Sequence, residues 1–424
     1  MPRKMKESGV EWLGQIPEGW GVNLVFQVAD QVKSKNEGLR EQNLLSLSYG
    51  KIKRKSIETV GGLLPQSFDG YNIIEADDIV LRLTDLQNDQ HSLRVGISSE
   101  RGIITSAYTT LRPRTRETAL YLYYSLHAFD LVKGFYGMGS GVRQGLNYDE
   151  VKLIKLPRPS AAEQQRIAAF LDERCAKIDG MIAEAKASIE DYKKWKQSII
   201  FEAVTGKREK NLKPSGVDWI GDVPEGWEIR RVKTVGLARN GLTYSPDDVA
   251  ENRQGVLVLR SSNIQGGKLS FDDCVYVNQS IPSELWVCKN DIIICSRNGS
   301  KELIGKCALI STDVKATFGA FMMVFRACSI DSSFAYWTFN SGMFGYYLGA
   351  FSTSTINQLT RGDFDSMQLP LPPLPEQRRI AAFLDEKCTA IDKLVGEKEA
   401  LIADLEAYKK SLIFETVTGK REVA

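Results

Sequence analysis

Residues 376–422 read EQRRIAAFLDEKCTAIDKLVGEKEALIADLEAYKKSLIFETVTGKRE, and this stretch decides how the chain is organised. Its apolar residues recur at steps of three, four or seven positions, a rhythm typical of the contact face of a coiled-coil helix. They are Ile380, Leu384, Ile391, Leu394, Leu401, Leu405, Tyr408 and Leu412. Pro375 stands before the first turn and Gly419 marks the end, so the pattern predicts one helix of about 40 residues, roughly 60 Å long.

The same stretch occurs earlier in the chain, at residues 163–209, where 28 of 47 aligned positions are identical without a gap. A second repeat pairs SGVEWLGQIPEGW at 8–20 with SGVDWIGDVPEGW at 215–227. Duplication of this kind predicts two halves built on one framework. The apolar positions of the earlier helix are Ile167, Leu171, Ile178, Met181, Tyr192, Trp195 and Ile199, and its pattern ends at Gly206.

The sequence between the repeats differs from one half to the other and indicates α/β structure. Runs rich in β-branched residues, such as DIVLRL at 78–83 and DIIICS at 291–296, predict short strands, and 334–348 predicts a helix. The polar segment 209–214 predicts a linker. We therefore expect domains at 1–158 and 215–372, with the two long helices inside 159–208 and 373–424.

The fold class that follows is α/β (α+β), with two α/β domains related by a pseudo-two-fold axis and joined by two long coiled-coil helices. A single helix cannot bury such a long apolar stripe alone, whereas two near-identical copies can bury theirs against each other. They would run antiparallel if the halves are related by a two-fold axis. The alternative is that each helix packs only on its own half.

Composition excludes several classes of protein. The formal net charge is +2, so the chain has no bulk positive charge with which to hold nucleic acid. No apolar run reaches the ~18 residues that span a bilayer, and the seven cysteines are scattered singly, which predicts a cytoplasmic protein with reduced thiols. Only two histidines occur, His91 and His127, so a zinc site is not expected.

The repeated motifs resemble those of the specificity subunit of type I restriction–modification enzymes. The opening S-G-V-x-W-x-G-x-x-P-x-G-W resembles the start of each target-recognition domain in that family. The motif L-P-x-P…E-Q-x-x-I-A-x-F-L-D, here at 156–172 and 369–385, and the closing I-F-E-x-V-T-G-K-R-E are similar to the ends of its conserved helices. Residues 260–306 also resemble its variable domains, so the resemblance covers essentially the whole chain.

The resemblance implies a subunit without catalytic activity that reads a split sequence in double-stranded DNA. It implies paired helices that space two target-recognition domains, two methyltransferase subunits as partners, and two restriction subunits in the complete assembly. No cofactor is expected on this chain, because S-adenosylmethionine, ATP and magnesium would belong to those partners. No catalytic residue, metal site or membrane partner is expected either.

Candidate DNA contacts in the first half lie where basic and amide side chains follow strands. The run KIKRK at 51–55 suits phosphate contacts, and RLTDLQN at 82–88 supplies the side-chain types that contact base edges. Turn formation or a solvated charged surface would explain the same residues without DNA. The candidates are Lys51, Lys53, Arg54, Lys55, Arg82, Thr84, Asp85, Gln87, Asn88, Arg143 and Gln144.

The second half offers equivalent polar runs after its strands, RSSN at 260–263 and RNGSK at 297–301. Binding residues concentrate in loops carried on rigid strand ends. The candidates here are Arg260, Ser262, Asn263, Arg297, Asn298, Ser300, Lys301, Asn357, Gln358 and Arg361.

Two other functions, and one other role for the repeated tryptophans, are alternatives to DNA recognition. A coiled-coil adaptor with two domains that bind other ligands would show the same duplication. A self-contained enzyme would need a cofactor site, yet GSKELIGKC at 299–307 lacks both the spacing and the Ser or Thr of a phosphate-binding loop. The repeated tryptophans Trp12, Trp20, Trp219 and Trp227 could stack on a ligand, but their presence in both halves favours packing or a common partner.

Overall fold

Both long helices are present in the computed structural model, which describes residues 3–56, 67–86, 89, 93–138, 145–250, 254–350 and 358–423. The first long helix is Ala161–Thr205 and the second is Leu374–Val417. The first ends one residue before Gly206 and the second ends two residues before Gly419, and both glycines have positive φ, of 71° and 76°. Glycine adopts this left-handed conformation without steric cost, which is why helices commonly end at it.

The chain forms two compact units, and each contains parts of both long helices. The first unit comprises Met1–Lys186 and Glu399–Ala424, and the second comprises Ala187–Lys398. The mixed α/β composition agrees with the sequence.

The first unit is built around a four-stranded antiparallel sheet. In spatial order its strands are Ala29–Gln31, Thr109–Pro113, Ile79–Leu81 and Val95–Ile97. The helix Ala119–Leu131 packs Leu122, Leu126 and Phe129 into the same hydrophobic cluster as the sheet. Further strand pairs are Met5–Glu7 with Gln15–Pro17, Gly21–Leu24 with Lys155–Arg158, Leu45–Ser48 with Lys51–Arg54, and Asn72–Ile74 with Gly102–Ile104. Short helices are Val25–Val28, Arg116–Thr118, Gly134–Gly137 and Tyr148–Val151.

The second unit repeats this four-stranded antiparallel topology. In spatial order its strands are Gly236–Asn240, Met322–Ala327, Ile292–Cys295 and Cys307–Leu309. A three-stranded sheet orders Val275–Val277, Val256–Leu259 and Ala316–Phe318. Other strand pairs are Leu212–Pro214 with Asp222–Pro224, Glu228–Arg231 with Gln368–Leu371, and Ile264–Gln265 with Lys268–Leu269. Helical segments are Val232–Val235, Pro246–Asp248, Ser261–Asn263, Ser283–Leu285, Lys301–Leu303, Ser332–Thr338, Phe339–Met343, Phe344–Ala350 and Arg361–Ser366.

Two segments differ from the sequence-based prediction. The helix expected at 334–348 is interrupted at Gly342, whose φ of 90° is not helical, so Ser332–Thr338 and Phe344–Ala350 are separate helices. Residues Leu212–Pro214, within the expected linker 209–214, form a strand because their backbone groups pair with Asp222–Pro224.

The same ion pair anchors the central sheet of each unit. In the first unit, Asp78 accepts hydrogen bonds from Nε and Nη2 of Arg112 at 2.8 and 2.6 Å. In the second unit, Asp291 accepts them from Arg326 at 2.8 and 2.7 Å. Both aspartates are buried, and the hydrogen bonds to them raise the pKa of each arginine above its ordinary value. Two-point arginine–carboxylate contacts hold a strand in one register, so two rigid sheets result.

Within the first unit the two long helices run antiparallel. Trp20 donates from Nε1 to Oε2 of Glu163 at 2.9 Å, at the start of the first helix. The same ring lies 3.0 Å from where a Cβ on Gly419, just beyond the second helix, would stand. Further along, Nζ of Lys409 lies 2.6 Å from Oδ1 of Asp179. Along a common direction, residue numbers therefore increase on one helix and decrease on the other.

The second unit shows the same arrangement with the helices exchanged. Trp227 donates from Nε1 to Oε2 of Glu376 at 3.1 Å, at the start of the second helix. Its ring lies 3.1 Å from where a Cβ on Gly206 would stand, just beyond the first helix. Nζ of Lys196 lies 2.6 Å from Oδ1 of Asp392.

The long helices bury apolar residues along much of their length, including Ile182, Ala185 and Ile189 in the middle of the first helix. One hydrophobic cluster of the first unit contains residues of both helices together with Tyr121 and Tyr124 of its α/β part, so in this unit the first helix packs both on its own half and on the second helix. On the first helix Ile182 is buried and its neighbour Met181 is exposed, so the buried face does not follow the predicted apolar positions throughout. The predicted contact residues that the structure instead leaves exposed are Met181, Trp195, Leu394, Leu401 and Tyr408.

Candidate nucleic-acid interface

The loops that carry most of the predicted contacts follow equivalent strands of the two sheets. The first sheet loop, residues 82–94, follows the strand Ile79–Leu81, and the second sheet loop, residues 296–306, follows Ile292–Cys295. Both strands occupy the same place in the sheet order. The loops therefore stand at matching positions, although their sequences and lengths differ.

In the first sheet loop, two buried leucines separate the polar candidates. Leu83 and Leu86 belong to the hydrophobic core, and Thr84 between them is exposed. Arg82 pairs through its backbone with Arg94, and Asp85 adopts a φ of 60°. The alternation points Arg82, Thr84 and Asp85 away from the core. The predicted contacts Gln87, Asn88, Arg143, Gln144 and Asn357 lie outside the described residues.

Arg94, whose role was not predicted from the sequence, supports this loop from the side that faces the core. The side chain of Arg94 is fully buried. Its guanidinium donates to the backbone oxygens of Arg82, Thr84 and Asp85, at 3.4, 2.8 and 3.4 Å, and also to that of Asp89. A buried charge is tolerated only when its donors are satisfied, so Arg94 and the loop carbonyls hold each other in place.

The basic run at 51–55 lies on an exposed hairpin, and part of its charge is already paired. Arg54 binds Glu100 through two nitrogens, and this contact raises the pKa of Arg54 and lowers that of Glu100. Lys51 lies 3.8 Å from Asp179. Lys53 and Lys55 are exposed and form no ion pair within the described parts of the chain. They are the better placed of the four to contact phosphate.

In the second unit, several candidates line one open cleft of about 1130 Å³. The cleft combines donors, acceptors and exposed aromatic surface. Among the residues that line it are Tyr244, Arg260, Ser261, Asp273, Arg297 and Phe321. The predicted contacts Ser262 and Asn298 line it as well, so sequence-distant segments are brought together here.

Hydrogen bonds within the second unit occupy the side chain of Asn263. This residue is fully buried, its Oδ1 accepts from the backbone of Arg260 at 2.8 Å, and its Nδ2 donates to the backbone oxygens of Ser270 and Asp273. The expectation that Asn263 contacts DNA is corrected accordingly, because the amide has no exposed group to offer. Its role is to shape the turn that presents Arg260.

The structure places most of the remaining second-unit candidates around Arg297, and Arg361 is the exception. Gln358 forms an isolated antiparallel bridge with Arg297. Ser300 is exposed and donates its backbone N–H to Asn298, and Lys301 is exposed beside it. Arg361 lies apart, lining a smaller cavity with Arg239 and pairing with Asp365 at 3.4 Å.

The repeated tryptophans serve packing. Trp20 and Trp227 are buried, and each binds the first-turn glutamate of a long helix, as described above. Trp12 donates to the backbone oxygen of Lys155 at 3.0 Å, and Trp219 donates to the hydroxyl of Tyr347 at 3.3 Å. Indole N–H groups satisfied in this way support the interpretation of these segments as domain caps.

Sequence reasoning missed the aromatic residues at the cleft and the hairpin. Phe321 lies immediately before the strand Met322–Ala327, and Tyr108 lies at the matching place before Thr109–Pro113. Tyr49, in the hairpin turn, is 74% exposed.

Within the described ranges, no group of three or more His, Cys, Asp or Glu side chains could hold a metal ion. None of the described helices is apolar over a stretch long enough to cross a bilayer.

The known proteins to which this chain is similar are type I restriction enzyme specificity subunits. A family model described as the type I restriction modification DNA specificity domain matches residues 224–402. The type I restriction enzyme EcoKI specificity subunit of Escherichia coli (strain K12) is 30% identical over 205 residues, which is 47% of this chain. That match spans only 44% of the E. coli protein, less than half its length.

Other relatives match along nearly the whole chain. The type I restriction enzyme MjaVIII specificity subunit of Methanocaldococcus jannaschii is 23% identical over 420 residues, covering 96% of this chain and 94% of that protein. One solved structure concerns complex assembly and conformational transition of the type I R-M system. A chain in it has the same fold, with a TM-score of 0.72 at 15% identity, over 96% of this chain and 99% of that one. With its duplicated framework, the chain is similar in sequence to type I restriction enzyme specificity subunits and shares its fold with that solved structure.

Proposed function

We propose that this chain is the non-catalytic DNA-specificity subunit of a type I restriction–modification complex and recognises a two-part DNA sequence. The observation that carries the proposal is the contrast between framework and loops. Two units share one sheet topology and one set of helix contacts, yet they carry different polar loops on equivalent strands. Such an arrangement suits two recognition domains that bind different DNA sequences and are held by one scaffold.

In this proposal each unit carries one target-recognition domain, and the domains are related by a pseudo-two-fold axis. The long helices form an antiparallel coiled coil that sets their separation, so that two half-sites are read on either side of an unread spacer. The antiparallel contacts seen inside each unit support this role. Side chains in the loops would contact base edges, and the lysines of the 51–55 hairpin would contact phosphates.

The partners in the proposal are double-stranded DNA, two methyltransferase subunits and, for cleavage, two restriction subunits, all in the cytoplasm. Phosphate neutralisation dominates DNA affinity, and a chain of net charge +2 can supply little of it. The methyltransferases would add that charge and hold a flipped adenine for methylation. S-adenosylmethionine, ATP and magnesium belong to the partner subunits.

Methylome sequencing of a host that carries this chain with its partner methyltransferase tests the proposal. We expect one methylated motif with two specific parts and a spacer of fixed length. Exchanging residues 21–155 for the matching region of a related subunit should change one part alone. An absent or single-part motif would contradict the proposal and favour an adaptor that binds other ligands.

A salt titration of duplex binding tests the sharing of the site. The chain alone should bind weakly at physiological salt, and addition of the methyltransferase should produce tight, sequence-specific binding. Lys53→Ala should weaken binding about equally on cognate and scrambled duplexes. Tight specific binding by the chain alone would contradict a site completed by the partner.

A further inference from the structure

The side chains that line the second-unit cleft differ in how far their hydrogen-bonding groups are already used. Nη2 of Arg260 donates to Oδ2 of Asp273 at 2.9 Å, which neutralises much of its charge. Nδ2 of Asn298 donates to Oγ of Ser261 at 3.2 Å, and Oδ1 of Asn298 accepts from the backbone of Ser300. These contacts hold the shape of the cleft, and Nε of Arg260, which has no hydrogen-bond partner among the described residues, is buried.

Arg297 is different, because its guanidinium is held without being neutralised. It lies over the ring of Phe321, 5.2 Å from the ring centroid, and no carboxylate or carbonyl in the described residues accepts from it. Contact between a guanidinium and an aromatic face leaves the N–H donors at its edge available. Phe321 is itself 59% exposed, so the pair stands at the open side of the cleft.

The backbone fixes where this pair stands. The N–H groups of Ser296 and Arg297 both donate to the carbonyl of Phe321, at 3.0 and 3.1 Å. On the other side, Arg297 forms its bridge with Gln358, and the N–H of Leu359 donates to the carbonyl of Ser296 at 2.7 Å. Arg297 is therefore tied to neighbouring chain segments on both sides, which lowers the entropy cost of binding.

We propose that Arg297 reads a guanine in one half-site and that Phe321 is the positioning residue that aims it. This inference rests on the proposed DNA-recognition function and deepens it. Guanine presents two acceptors, O6 and N7, in the major groove, and the forked donors of arginine match them. Arg260, already bound to Asp273, would instead support the cleft wall.

The test compares variants of the complete complex with its methyltransferase, binding a set of duplexes in which each position of both half-sites is varied. Arg297→Ala should lower affinity for one guanine-containing half-site roughly 5- to 150-fold and abolish the preference for guanine at one position. Arg297→Lys should recover little of that preference, because an ammonium lacks the fork. Arg230→Ala, an exposed arginine of the same unit paired with Glu228, is the matched control and should change nothing.

Variants of Phe321 provide the second part of the test. Phe321→Ala should weaken discrimination at the same position as Arg297→Ala, and Phe321→Tyr should restore it, while the melting temperature stays near that of the wild type. Equal loss on all duplexes in Arg297→Ala, with full rescue by lysine, would identify a phosphate contact and overturn the inference. A wild-type complex without any sequence preference would overturn the proposed function itself, and this outcome is distinct from a specific complex that is insensitive to Arg297.

Discussion

Buried polar side chains determine which residues of each loop can face a ligand. Asn263 and Arg94 are both fully buried and both bind the backbone of the loops that carry predicted contacts. Removing such a group leaves buried partners unsatisfied, which costs more than the hydrogen bond was worth. The loops are therefore most sensitive to change at residues that do not reach the surface.

Arg94→Met tests this at the residue scale. The variant keeps most of the buried volume but removes the guanidinium donors to the carbonyls of Thr84 and Asp89. Among the described residues only the carbonyl of Asp89 keeps another donor, the hydroxyl of Tyr136, so we expect a loss of about 2–4 kcal/mol in the free energy of unfolding. Urea denaturation measures it. Arg116→Met, which removes an exposed arginine 3.7 Å from Asp77, should change stability by less than about 0.5 kcal/mol. Equal effects of the two variants would contradict a supporting role for Arg94.

At the scale of one element, the helix Ala119–Leu131 carries two buried groups whose pH dependences oppose each other. Burial lowers the pKa of His127 from 6.5 to about 4, so its contribution to stability is present above pH 6.5 and is lost as pH falls toward 4. Burial raises the pKa of Asp130 from 3.8 to about 6, so its contribution is present below pH 3.8 and is lost as pH rises through 6.

Single substitutions should separate the two groups. Relative to the wild type, Asp130→Asn should lose up to about 3 kcal/mol of unfolding free energy as pH falls from 6.5 to 4. His127→Gln should gain a similar amount over the same interval, because it lacks a group that must be protonated on unfolding. Denaturation curves at half-unit pH steps measure both. If the unfolding free energies of the two variants changed with pH in the same direction relative to the wild type, the opposing pH dependences of His127 and Asp130 would be refuted.

The ends of the long helices depend on glycine for two reasons. Gly419 has a positive φ, and a Cβ there would stand 2.5 Å from Pro17, so Gly419→Ala combines backbone strain with a clash. We expect a loss of at least about 2 kcal/mol in unfolding free energy. Gly180→Ala, within the first long helix and in open space, is the control and should stabilise by up to about 1 kcal/mol. Thermal unfolding distinguishes the two, and a neutral Gly419→Ala would show that the helix end tolerates another stop.

At the scale of the whole molecule, the proposed spacing by the long helices can be tested by changing their length. Four residues inserted near Ala183, with four more at the matching position near Gly396, should add about 6 Å, close to two base-pair steps. The methylated motif should keep both specific parts and gain spacer bases. An unchanged spacer in a folded variant would show that the length of the helices does not set the length of the spacer.

The duplication and the two long helices could be predicted from the sequence, because helix periodicity and repeats are local patterns. The places of the sheet loops followed from the strands before them. What each helix residue contacts could not be predicted. Trp195 and Tyr408 fit the apolar period as well as Leu384 does, yet only Leu384 is buried, since burial depends on where a second layer lies.

The sequence likewise predicted only part of the candidate interface. The residue types in 297–301 indicated DNA contact. Only the tertiary structure shows that Arg297 lies over the ring of Phe321 and that Asn263 is buried. Both facts arise between segments far apart in the chain. The availability of a polar group depends on which donors and acceptors surround it in space, and composition along the chain does not contain that information.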